Sequence, residues 1–341
     1  MSSLMLDEVG QTPKLVAAQL AADGEAYAAL AAALDASPPV FAATIARGSS
    51  DHAASYGATL LALAAGLATA SLPPSLVSRY GVKPELGRAL VLGLSQSGAS
   101  PDLVASMEAA TASGAVTAAI VNQSGSALAG AARHELPQRA GAERSVAATK
   151  SFVLTLVAIA RLIAVWRKDR TLEKGLERLP ERLEAALEVD WGQAVEGLVR
   201  AEHLYVLGRG PTLAIADEAA LKLKETSYLH AEAFSSAEVR HGPRAVIDDG
   251  FPLLALALAD AGGADTAVFA AEMAAAGGTV ITASPDASVA GQAVRLPEPL
   301  HPLLDPIVAI TAFYPMAAAL AVARGHDPDR PRGLKKVTST I

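Results

Sequence analysis

The chain has 341 residues, room for about two domains of ordinary size. It is 51% apolar, only 18% charged and carries a net charge of −7, which argues against electrostatic binding to nucleic acid. It has no cysteine, so disulfides, thiolate nucleophiles and thiolate-held metals are excluded.

In chain order, residues 12–34 read as one amphipathic helix with no secretory pattern ahead of it, so a cytoplasmic protein without a membrane anchor is expected. Residues 40–46 form an apolar strand ending in Arg47-Gly48-Ser49-Ser50, before a helix over 51–65. Residues 89–94 form the next strand, ending in Ser95-Gln96-Ser97-Gly98-Ala99-Ser100, before a helix over 101–113. A third strand, 116–121, ends in Asn122-Gln123-Ser124-Gly125, and a long helix fits 146–167. The apolar part of that helix, 152–165, is broken by Arg161 and too short for a bilayer. The charged stretch 168–182, with Pro180, reads as a connector, and a further helix runs to about residue 200.

The pattern then restarts. A strand over 203–207 ends in Gly208-Arg209-Gly210, and helix 213–227, strands 252–258 and 279–283 and helices 264–275 and 303–323 follow. Both halves open with a strand, Arg-Gly and an alanine-rich helix, with Arg209 standing 162 residues after Arg47. This predicts two similar α/β units, each a parallel sheet covered by helices, with ligands beyond the carboxyl ends of the strands. The expected layout is an N-terminal helix over 1–38, units over 39–170 and 183–326, and a tail over 327–341.

The turn after residue 94 is the strongest chemical signal. Hydroxyls and a glycine at the start of a helix suit an anion, because free first-turn amides and the helix dipole favour negative charge there. Neither GxxxxGK[ST] nor GxGxxG occurs, so the anion expected is a phosphate without a nucleotide. A serine-rich helix cap would use the same residues. Glu218, Lys222 and Glu225 share one helix face, which fits either a solvated ladder or a group able to move protons. His230 and His241 follow closely, and an imidazole can serve the ring oxygen of a sugar. The histidines have no metal-ligand spacing, so no metal site is expected; no organic cofactor is expected either. Arg47 and Arg209, like Glu143 and Arg144, could bind phosphate or pair with a neighbouring charge.

Gly48-Ser49-Ser50, Leu94-Ser95-Gln96-Ser97-Gly98, Val146-Ala147-Ala148-Thr149-Lys150, the segment from Ala220 to Glu225, His230-Ala231-Glu232, Glu238 to Pro243 and Pro331 to Lys336 occur in this order. With them the chain resembles the sugar isomerase (SIS) domain family. It is similar in particular to the isomerase half of glucosamine-6-phosphate synthase and to stand-alone glucosamine-6-phosphate deaminases of the SIS type. The resemblance implies two tandem SIS domains, each a parallel sheet sandwiched by helices. It implies that Ser50, Ser95, Gln96, Ser97 and Ser100 hold the sugar phosphate and that Val146 lines the pocket. Glu225 would shuttle the proton between C1 and C2, and His241 would open the ring from the neighbouring subunit of a homodimer with shared sites. Lys222 and Lys336 would line the site, the latter on the tail. The implied reaction converts glucosamine 6-phosphate to fructose 6-phosphate and ammonia. Neighbouring readings are a phosphosugar isomerase without deamination, a galactosamine-6-phosphate deaminase and a fructosamine-6-phosphate deglycase. A non-catalytic phosphosugar sensor would have little use for Glu225, His241 and Lys336 together. Ala99, Ser100 and Ala148 stand where the synthase pattern has glutamate, threonine and serine.

Overall fold

A computed structural model describes residues 3–336. The described chain divides into two compact units, one of residues 14–143 and 150–177, the other of residues 3–13, 144–149 and 178–336.

The first unit is built on β1 (Phe41–Ile45), β2 (Thr69–Ser71), β3 (Ala89–Ser95), β4 (Val116–Val121) and β5 (His134–Pro137). They form one sheet in the order β2-β1-β3-β4-β5, every pair parallel. All seven residues of β3 are buried, as a central strand covered on both faces requires. Alternation along the strands sends Ala43, Ile45, Ala89, Val91, Ala119 and Val121 into a core with Leu103, Met107 and Leu128. Two helices, Ser49–Ala65 and Lys150–Arg167, pack on each other in the same unit.

The second unit repeats the plan. Its strands are β6 (His203–Gly208), β7 (His230–Ser235), β8 (Pro252–Leu256), β9 (Thr279–Ser284) and β10 (Gln292–Arg295), in the order β10-β9-β8-β6-β7 and all parallel. The repeat is in register. Helix Pro211–Ser227 follows β6 as Ser49–Ala65 follows β1, and each begins at a glycine of nearly the same conformation, Gly48 (φ 57°, ψ −136°) and Gly210 (φ 60°, ψ −133°). Helix Asp305–Ala323 is long and apolar enough to cross a membrane, yet its most apolar window is 78% buried inside the protein. It packs on Pro211–Ser227 as a core helix.

Several expected elements differ. The helix expected over 12–34 is two helices, Thr12–Ala21 and Gly24–Ala36, because Asp23 adopts a left-handed conformation (φ 57°). The carbonyls of Gln19 and Ala22 freed by that break are taken by Arg161 at 2.7 and 2.6 Å. The helix expected from 146 begins at Lys150, where Glu143 accepts from Ser151 N at 3.2 Å and Ser151 Oγ at 2.6 Å. Residues 168–182 are no connector. Asp169 caps a helix over Arg170–Leu187 that holds Pro180, and its apolar face, Leu172, Leu176, Leu179, Leu183 and Ala186, is buried. The helical period there outweighs the charge. Strands β2, β5, β7 and β10 were outside the expected set. Three of them are edge strands of three or four half-solvated residues, too short to show a period.

Candidate active site

The first unit gathers serines into a cradle at two adjacent strand ends. β1 and β3 are neighbours whose crossovers leave in opposite directions, so their carboxyl ends flank the switch point where open α/β sheets bind ligands. After β1, Gly48 turns the chain into helix Ser49–Ala65 and sets half-buried Ser50 in its first turn. After β3, buried Ser95 accepts from Gly98 N at 3.0 Å and Ser97 Oγ accepts from Ala99 N at 3.4 Å. Gly98 has φ 62°, and a Cβ there would lie 2.1 Å from Ser126 Oγ, so only glycine closes this turn. The Gln96 carbonyl accepts from Asn122 N at 3.2 Å, which ties the turn to the end of β4.

Neither Gly48 nor Ser100 caps its helix with a side chain. Two helix N-termini therefore open on adjacent strand ends beside Ser50, Ser97 and Ser100, an arrangement suited to an anion. The serine-rich-cap reading fits Ser95, which holds the turn, and fails for Ser100. Arg47 donates to buried Asp102 at 2.5 and 2.8 Å and so braces the two turns. Arg209, its counterpart, pairs with Asp265 at 3.2 Å.

The second unit lacks such a cradle at the matching place. Thr212, the counterpart of Ser50, is fully buried. Asp260 caps the helix Ala261–Ala275 with its own carboxylate, accepting from Gly263 N at 2.6 Å. A Cβ on Gly263 would lie 1.9 Å from the Leu258 carbonyl, so the backbone at this turn leaves no room for a side chain.

What the second unit holds is an acid–base group. On helix Pro211–Ser227, Lys222 Nζ lies 2.5 Å from Glu225 Oε2 and 3.4 Å from Glu218 Oε1. Glu218 and Lys222 are buried to within 1%, while the Glu225 side chain keeps 20% of its surface. Burial pulls the Lys222 pKa down, but the Glu218 and Glu225 carboxylates outweigh it and hold the ammonium above its ordinary value. Glu225 is thus the one member of the trio open to a ligand.

Just past this helix, Tyr228 OH accepts from Arg332 N at 2.6 Å, and the Arg332 guanidinium stacks over the ring at 5.1 Å. That anchors the tail. Four residues on, Lys336 Nζ donates to the Ser145 carbonyl at 2.7 Å, next to Val146, whose N–H donates to the Asp329 carbonyl at 3.4 Å. Residues 337–341 of the expected tail lie outside the described residues.

The structure thus sets Ser50, Ser95, Gln96, Ser97 and Ser100 on two adjacent turns, Lys222 against Glu225, and Lys336 against the backbone at Val146. His241 stands on the 3₁₀ turn Glu238–His241, exposed to solvent. Sequence reasoning missed Glu8, Ser126, Asp329 and the role of Tyr228. A capping serine at position 3, whose Oγ accepts from Leu6 N at 3.2 Å, is the one local signal that could have drawn attention to the first helix and its Glu8. Among the described residues no three histidine or acidic side chains converge as a metal site needs.

A repeated parallel α/β unit with a serine cradle in one copy and a carboxylate–lysine group in the other defines the class. The chain belongs to the SIS domain family, whose model matches residues 42–165 and 197–323. It is 38% identical over 266 residues to glutamine–fructose-6-phosphate aminotransferase [isomerizing] of Thermococcus kodakarensis, covering 73% of this chain and 44% of that one. The chain spans about half the length of the curated relatives it matches. It shares 43% identity and a TM-score of 0.90 with the crystal structure of a candidate phosphosugar isomerase from Silicibacter pomeroyi, over 96% of this chain and all of that one. The C-terminal domain of glucosamine-fructose-6-phosphate aminotransferase from Francisella tularensis is 26% identical with a TM-score of 0.87, covering 97% of this chain and 98% of that one.

Proposed function

We propose that the chain is an enzyme that binds a phosphosugar and interconverts its aldose and ketose forms, and that the substrate is glucosamine 6-phosphate, released as fructose 6-phosphate and ammonia. The observation that carries this is Glu225, held by buried Lys222 at 2.5 Å while its own carboxylate keeps access to solvent. A base so placed can take a proton from one carbon and return it to the next. Membership of the SIS family and relatives named for phosphosugar work support the reading.

In the proposed reaction the serines of the β1 and β3 turns, with Gln96, grip the phosphate, and that remote binding orients the reacting carbons. His241, from a second copy of the chain, moves the proton that opens the pyranose. Glu225 removes the proton from C2 of the open-chain aldehyde while the oxygen at C1 takes one from solvent, giving an enolamine. It then returns its proton to C1 as the amine gives one up to solvent, leaving a hydroxyl at C1 and an imine at C2. Water adds to that imine and ammonia leaves, yielding fructose 6-phosphate. Lys336 steadies the negative charge that develops on the oxygen at C1, and Lys222 sets the Glu225 carboxylate. The backbone at Val146 borders the sugar.

The test is purified protein with glucosamine 6-phosphate and with its 4-epimer, read by ammonia and ketose released. The Glu225→Gln variant should bind the phosphosugar within about threefold of wild type and lose about 10²–10⁴ in turnover. Undiminished turnover in that variant removes Glu225 from the base role; conversion of an amine-free hexose 6-phosphate to its ketose, with no ammonia released from either amino sugar, reduces the proposal to plain isomerisation.

A further inference from the structure

Glu8 is a buried carboxylate that the proposed reaction leaves without a task. It sits on helix Leu4–Gly10, is 5% exposed, and accepts from the backbone amides of Arg144 and, at 3.2 Å, Ser145. The next group along is the Ser145 carbonyl, which takes the Lys336 ammonium at 2.7 Å. The other end of the same helix is tied to the tail. Asp329 accepts from Leu4 N and Met5 N, both at 2.8 Å, and its own carbonyl accepts from Val146 N at 3.4 Å. The contacts close a ring, in which the helix holds the 144–146 loop through Glu8, the loop holds Lys336, and the tail returns to cap the helix through Asp329. A carboxylate removed from water to receive two consecutive amides fixes the peptide planes on the N-terminal side of Ser145. The Asp329 carbonyl holds the N–H of the next plane, so the Ser145 carbonyl that faces the lysine is restrained from both sides.

We propose that Glu8 is a positioning residue of the reaction, setting the Lys336 ammonium through Ser145, whose N–H Glu8 holds and whose carbonyl takes the lysine. The kinetic part of this inference rests on the isomerase reading above; the structural part does not. A glutamine at position 8 keeps the length and one acceptor but brings an N–H₂ group against an N–H donor, so the loop and its carbonyl should loosen without emptying the site.

Two measurements test it. The first is a double-mutant cycle on turnover. Glu8→Gln should lower kcat about tenfold with KM within about twofold, and should cost less than about twofold more when made in a Lys336→Ala background. A merely structural Glu8 would lower kcat by the same factor in both backgrounds, and that result overturns the proposal, as does a folded Glu8→Gln protein with full kcat. The second is hydrogen exchange of the wild type and of Glu8→Gln, which needs no substrate. Exchange should quicken about tenfold in peptides covering 144–149 and 327–336 and stay unchanged in the β8 strand, Pro252–Leu256. Unchanged exchange in the tail peptide refutes the link to Lys336. Should the wild type turn over no phosphosugar, the isomerase reading falls while the exchange result still decides the ring of contacts. If Glu8→Gln fails to fold, Glu8→Asp, which keeps the charge and withdraws it by one methylene, takes its place in both experiments.

Discussion

At the scale of single residues, the feature with the largest energetic stake is Lys222. It is the cation for two carboxylates, one of them, Glu218, fully buried. Replacing it with methionine keeps the volume and takes the cation away from beside a fully buried carboxylate, Glu218. Lys222→Met should therefore destabilise the fold by about 3–5 kcal/mol in urea unfolding, more than an exposed ion pair could. Because its folded pKa stands above the usual lysine value of 10.5, the stabilisation is complete below that pH. It is lost as pH climbs through the raised value, and the methionine variant should lack this alkaline limb. This trio was visible in the sequence as charges three and four apart on one helix. What the spacing could not give is burial, which separates a solvated ladder from a pinned carboxylate. Glu8 was less visible still, since its partners are backbone amides of residues 144 and 145, far along the chain and silent in side-chain chemistry.

At the scale of elements, the turn after β3 decides whether the cradle exists. Its positive φ at Gly98 and the 2.1 Å approach to Ser126 Oγ forbid a side chain on two counts, strain and collision. Gly98→Ala should cost about 1–3 kcal/mol in thermal unfolding and weaken inorganic phosphate binding. Removing the collision with Ser126→Gly in the same chain should return only part of the stability, because the strain persists. The central strands were legible because β3 and β4 are continuous apolar runs ending in small polar residues. The edge strands were not, since β2, β5 and β10 bury too little to impose a pattern. The helix Arg170–Leu187 was misread because charge and Pro180 drew more weight than the leucines spaced by helical turns, and that buried stripe is what forms it.

At the scale of the whole molecule, the proposed chemistry draws, through His241, on a second copy of the chain. That can be checked by complementation. Neither Glu225→Gln nor His241→Ala should be active alone. Refolding them together in equal amounts should restore about a quarter of wild-type turnover, since half the dimers are mixed and each mixed dimer has one intact site. No recovery, with mixed dimers shown to form, places His241 within its own chain's site or outside the reaction.

The in-register repeat of helices Ser49–Ala65 and Pro211–Ser227 has a consequence for how the chain tolerates change. In one copy of the scaffold the helix after the central strand has no side-chain cap, while in the other Asp260 supplies one and the backbone packs closely at Gly263. Substitutions at Ser49 and Ser50 should therefore register as lost ligand affinity with little loss of folding. Their counterparts around residue 210 to 212 should register as poor expression or early melting. A saturation library scored separately for abundance and for growth on the sugar would show the two halves of one repeated plan answering to different constraints.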